Sequence, residues 1–381
     1  MPAKFILMTA FLDSKPHYAL LDGLRGVAAL FVVWYHIFEG FAFVDGSLIE
    51  TVNHGYLAVD FFFMLSGFVL SYAYDDRWGT RLNFSSFLKR RLIRLHPMVL
   101  MGALTGVVFY LLQGSVRWDG TPVSWVWVVL AFVLSVLMLP VTPGSSADIR
   151  GNGEMFPLNG PSWSLFFEYI GNLFYALVLR RMSTRVLGIW TALLGASLAT
   201  FALSDISGYG FMGVGWTLDP MNFLGGSLRM LFPFSMGMLL ARTFRPVKVR
   251  GAFWLCALLL GILFHVPYIA GTDPICYNGL FEMICVLLVF PILILLAASG
   301  STTDKYSSRI CRFLGDISYP LYITHYPVLY LFYSWLIENH YTTLAETGPV
   351  VALVLTGCLL LAYLALKLYD EPVRQWLQKR K

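Results

Sequence analysis

Stretches of about 18 or more mostly apolar residues recur along almost the whole 381-residue chain, at 22–40, 56–74, 97–114, 123–141, 161–180, 187–206, 222–241, 252–271, 277–299, 318–338 and 347–368. A helix rises ~1.5 Å per residue, so runs of this length reach across the ~30 Å hydrocarbon layer. Lipid offers no partner for backbone N–H and C=O groups, which restricts spanning segments to helices or a closed barrel. Hydrophobic residues make up 57% of the chain and charged residues 13%, more apolar matter than a water-soluble core of this size needs. The reading is an all-α polytopic membrane protein.

The net charge of +5 is carried by short loops, which reports orientation and excludes a nucleic-acid partner. Loops 41–55, 203–221, 271–276 and 338–346 contain no Lys or Arg, whereas 180–185, 241–251 and the closing VRQWLQKRK are basic. The basic set is assigned to the cytoplasm, with both termini inside. Between Arg94 and Arg180 lie three apolar stretches where an even number of crossings is needed. Segment 161–180, which carries Glu168 and Asn172, is the one expected to be broken or re-entrant. A bundle of about ten transmembrane helices plus that segment follows. Residues 1–17 are expected to be a cytoplasmic tail rather than a cleaved signal peptide, and 378–381 a basic tail, with no appended soluble module. Five cysteines with no CxxC spacing predict neither a disulfide framework nor a metal site.

In LRGVAALFVVWYH, Arg25 and His36 are eleven residues apart. Eleven steps of 100° make three turns plus about 20°, so both side chains leave one helix face, ~16 Å apart along its axis. Asp60, near the outer end of the antiparallel second span, shares the depth of His36. Ionisable groups in a membrane cost several kcal/mol unless paired or hydrated. An interface anchor explains Arg25 alone, and helix packing explains His36 alone; the same-face pair favours function. Asp60 is read either as the group that fixes the His36 tautomer or as structural.

FLKRRLIRLHP, 87–97, places Arg90, Arg91 and Arg94 together at the mouth of a proline-opened span. Arginine forks match phosphate geometry, and a lipid-headgroup anchor is the plainer alternative. PSWSLFFEYIGNLFYAL adds Trp163 and Glu168 at a membrane boundary. Arg229, His265, Glu282 and His325 are isolated polar groups, each read on its own as structural.

Together, LDGLRGVAALFVVWYH, GYLAVDFFFMLSGF, RRLIRLHP, WSLFFE, RMLFPFSMGMLLAR, ISYPLYITHYPV and EPVRQWL occur in that order over about 18–377. The chain thereby resembles the acyltransferase-3 family of bacterial membrane O-acyltransferases. It departs from the family's habit at Ala58, often Gly, and at Thr324, frequently Trp. The resemblance implies a stand-alone membrane domain of about ten spans in the bacterial inner membrane. It implies transfer of an acyl group, commonly acetyl, from acyl-CoA to a hydroxyl of a carbohydrate or cell-envelope glycan such as exopolysaccharide or lipopolysaccharide. Arg25 and His36, with Asp60, would form the catalytic element; Arg90, Arg91 and Arg94 would meet the donor's phosphates; Trp163, Glu168 and His325 would bind the acceptor. No metal is implied. The competing classes are a transporter or flippase with midplane ionisable residues, and a non-catalytic scaffold.

Overall fold

The computed structural model describes residues 18–46, 52–245, 247, 249–300 and 304–379. The expected tail 1–17 lies outside these residues, as do the last two residues of 378–381. Eleven helices run through the described residues: α1 (Ala19–Asp45), α2 (Ala58–Tyr74), α3 (Phe84–Leu112), α4 (Trp125–Val136), α5 (Ser162–Leu177), α6 (Thr184–Leu203), α7 (Pro220–Thr243), α8 (Ala252–His265), α9 (Tyr277–Ser299), α10 (Lys305–Asn339) and α11 (Leu344–Lys379). Among them no strand forms; only isolated bridges join loops. α9 and α11 each contain a π-helical stretch, Ile284–Val289 and Leu366–Asp370.

Local signals set the ends. Asn83 and Ser86 form a reciprocal capping box at the start of α3, Thr343 and Glu346 another at α11, and the Asp219 carboxylate accepts the N–H groups of Met221 and Asn222 ahead of Pro220 in α7. Each satisfies donors that a helix start leaves open. α1 stops at Gly46, whose φ of 73° is a left-handed cap.

Eight helical segments are long and apolar enough to cross a membrane, and the stretch Ser162–Arg181 is one of them. The expected break at 161–180 falls only near its end: Ser162–Leu177 is one continuous helix, and a separate 3-10 turn, Leu179–Arg181, follows Val178; the shorter apolar helices are α4 and α8, of 12 and 14 residues. Nor does Pro97 open a span. α3 starts at Phe84 and continues through it, so the arginine cluster rides on the first turns of the same helix. α10 has 35 residues, yet its tyrosines, prolines and histidine keep it out of the apolar set. It is shielded from lipid by packing against α1, α3 and α11.

α1 against α10 and α2 against α7 are the most extensive helix pairs. α2 and α7 meet through glycine: a Cβ on Gly67 would lie 1.9 Å from Phe234 O, and one on Gly237 2.0 Å from Met64 O. Backbones this close leave no room for any side chain. Outward faces carry exposed Leu258, Ile262, Leu353 and Leu360, the surface a bilayer covers. The protein is an integral membrane protein.

Candidate active site

α1 links two cavities. Near its start, Arg25 lines a cavity of about 120 Å³ with Ser66, Arg91, Arg94, Glu168 and Tyr319. Further along, His36 lines a cavity of about 690 Å³ with Glu39, Glu154, Trp163, Arg229 and Tyr326. Val59 and Tyr322 line both, so a thin wall separates them. The Tyr322 hydroxyl in that wall lies 2.6 Å from Ser164 Oγ and 3.2 Å from Pro161 O.

The His36 side chain is held by its neighbours. Its Nδ1 lies 2.7 Å from Glu39 Oε2, three residues on and therefore on the same helix face. A carboxylate only accepts, so the contact favours the hydrogen on Nδ1, and in a neutral imidazole with that tautomer Nε2 is the acceptor. Glu39 Oε2 also accepts from Tyr326 OH at 3.2 Å, and Tyr333 OH sits 3.1 Å from it and 2.5 Å from His36 O. The imidazole packs edge-on against Tyr35 and Tyr326. An imidazole tied by one nitrogen to a fixed carboxylate is the arrangement general-base catalysis uses.

Asp60 does not orient His36. Its carboxylate receives Arg229 Nη2 at 2.6 Å and Nε at 3.1 Å, and both side chains are almost wholly buried. Arg229 also donates to Val214 O at 2.8 Å and lies over the rings of Tyr56 and Trp163, at 5.4 and 5.2 Å. The pairing satisfies the membrane's demand on Asp60, which left Glu39 as the partner of His36.

The other expected site residues divide between the cavities. Arg91 and Arg94 line the small cavity, whereas Arg90 is exposed and outside its lining. Arg91 Nη2 donates to Glu168 Oε1 at 2.9 Å, Ser66 Oγ donates to the same oxygen at 3.2 Å, and Arg91 Nε is buried without a partner. Glu168 thus belongs with the arginines and not with Trp163, which lines the large cavity. His325 is fully buried and absent from both linings. Its Nδ1 faces Leu321 O and Tyr322 O at 3.1 and 2.9 Å, and its ring lies 5.4 Å from that of His36. It backs His36 instead of touching an acceptor.

Two signals escaped the sequence reading. One is the His-x-x-Glu spacing of His36 and Glu39. The other is Tyr322, Tyr326, Tyr330 and Tyr333, which share one face of α10 within about 80° of arc and address Ser164, Glu39, Glu154 and His36 in turn. Glu154, bonded by Tyr330 OH, comes from the loop 137–161, outside the spans. Burial pushes its carboxyl up to about 7, against the opposing influence of the Arg150 guanidinium and the Tyr330 hydroxyl.

A family model described as an acyltransferase domain matches residues 18–363. The chain belongs to the acyltransferase-3 family and is an acyltransferase. It is 36% identical over 167 residues to protein 2 in the picA locus of Rhizobium radiobacter, covering 42% of this chain and 81% of that protein. It is 28% identical over 329 residues to the acyltransferase MdmB of Streptomyces mycarofaciens, covering 81% and 78%. It is 24% identical over 335 residues to the peptidoglycan O-acetyltransferase OatA of Listeria monocytogenes, covering 84% of this chain and 50% of that protein. The chain thus spans about half the length of that peptidoglycan enzyme. No solved structure matches.

Proposed function

We propose that the protein is a membrane O-acyltransferase that moves an acetyl group from acetyl-CoA to a hydroxyl of a cell-envelope carbohydrate. The observation that carries this reading is the His36–Glu39 pair facing a large cavity, one thin wall away from an arginine-lined one. Arg91 and Arg94, with Arg25, hold the donor's phosphates from the cytoplasmic side, and the thioester arm follows α1 towards His36. Nε2 of His36 takes the proton of the acceptor hydroxyl as its oxygen attacks the thioester carbonyl carbon. The C–S bond breaks, and the departing thiolate takes the proton back from the imidazolium, leaving an ester and free thiol. The cytoplasmic termini and ten crossings of the inner membrane fit this orientation if α4, only ~18 Å long, is the segment that does not cross. That choice restores the even number of crossings between Arg94 and Arg180.

The test measures base-labile acetyl on surface glycans, and acetyl-CoA consumption by purified protein, in a deletion strain complemented with either wild type or His36→Ala. The variant should insert and accumulate normally but lose transfer by about 10²–10⁴-fold, the usual contribution of a general base. Near-native turnover in His36→Ala overturns the assignment.

A further inference from the structure

The large cavity holds a second carboxyl that the transfer step leaves unused. The backbone around Glu154 is tightly knit. The Asp148 carboxylate accepts the N–H groups of Gly144, Gly151 and Gly153 at 3.0–3.1 Å, and the two latter glycines take left-handed φ values of 74° and 80°. Met155 N–H donates to Trp216 O and Val141 N–H to Met155 O, both at 2.8 Å. Glu154 is therefore presented by a fixed frame, and Tyr330 OH holds its Oε2.

Tyr330 follows Tyr326 by one helical turn, ~6 Å along α10, and Tyr326 holds Glu39. Two carboxyls thus stand one turn apart on a single wall: one bonded to the imidazole, the other free of it. Asn152 lines the same cavity, and its Oδ1 is buried without a hydrogen-bond partner. Trp163, Trp216 and Tyr209 supply aromatic faces to the lining. A carboxylate and an amide beside aromatic rings suit a ring that carries several hydroxyls on one edge and C–H groups on its face.

We infer that Glu154 is a specificity-determining residue which, with Asn152, holds a second hydroxyl of a sugar acceptor while His36 addresses the first. This rests on the reading of the large cavity as the acceptor site. The charged and titratable groups facing Glu154 are Arg150 on its own loop, Glu39 on α1, and Tyr326 and Tyr330 on α10. Above about pH 7 its carboxylate accepts from the sugar; below, the acquired proton removes an acceptor, so binding weakens on acidification.

The test titrates tryptophan fluorescence of detergent-purified protein with chitotetraose and with cellotetraose, in a His36→Ala background that does not depend on turnover. At least one oligosaccharide should quench the His36→Ala protein, with binding that tightens as pH rises through about 7. Adding Glu154→Gln should weaken binding at least tenfold at pH 8 and flatten the profile. Tyr330→Phe, which leaves the carboxyl in place, should weaken it several-fold. No quench by either sugar, or equal binding with Glu154→Gln, overturns the inference. Transfer surviving in His36→Ala alongside weakened binding in Glu154→Gln sinks the catalytic reading and leaves this one standing.

Discussion

The two cavities on α1 use charge differently. In the small one, arginines outnumber carboxylates: Arg25 is balanced locally by Asp22 at 2.8 Å, Arg91 by Glu168, and Arg94 lies exposed at the rim. Positive charge is left over, as suits holding an anion. In the large one, the lining cation Arg229 is paired with Asp60, and Arg150, outside the lining, donates to Pro157 O and Gln113 Oε1 and stacks on Tyr330 at 3.3 Å. What remains for a ligand there is an oriented imidazole and tyrosine-held carboxyls. One chamber attracts; the other orients.

The strongest way to break that contrast is to remove the matched charge. Asp60→Asn leaves Arg229 buried without its counter-charge, at a cost of about 3–5 kcal/mol. The check is thermal unfolding in detergent, with partial recovery expected in the double variant Asp60→Asn/Arg229→Met. Next in size, Glu39→Gln leaves the ring in place but removes the charge that fixes its tautomer. It should lower kcat about a hundredfold with the donor KM unchanged, read in the acetyl-transfer assay; a change confined to KM would remove Glu39 from the chemistry. Smallest, Arg91→Ala should raise the donor KM about tenfold with little change in kcat, consistent with losing a charge-assisted contact. Equal effects of Glu39→Gln and Arg91→Ala on kcat would erase the distinction between the chambers.

Most of the fold was legible because lipid leaves a greasy chain few choices. All eleven apolar stretches coincide with helices, although α3, α10 and α11 extend well beyond them. Polarity misled over Ser162–Leu177: Glu168 looked costly in a continuous helix, but Arg91, 77 residues earlier, neutralises it. Asp60 misled likewise, since its partner Arg229 is 169 residues away and helix periodicity carries no information over that distance. The division of Arg25 and His36 between two cavities along α1 follows from spacing that could be counted, as does His36–Glu39, had it been counted. Glu154 could not be found that way. Its loop has no repeat, and its surroundings arise from contacts with 211–219 and α10.

α10 carries the tyrosines that touch the dividing wall, the base and both carboxyls of the larger chamber, all on one rod. Sliding or rotating that rod would disturb these points in concert, so a substitution that shifts α10 should change donor access, proton transfer and acceptor grip as correlated quantities.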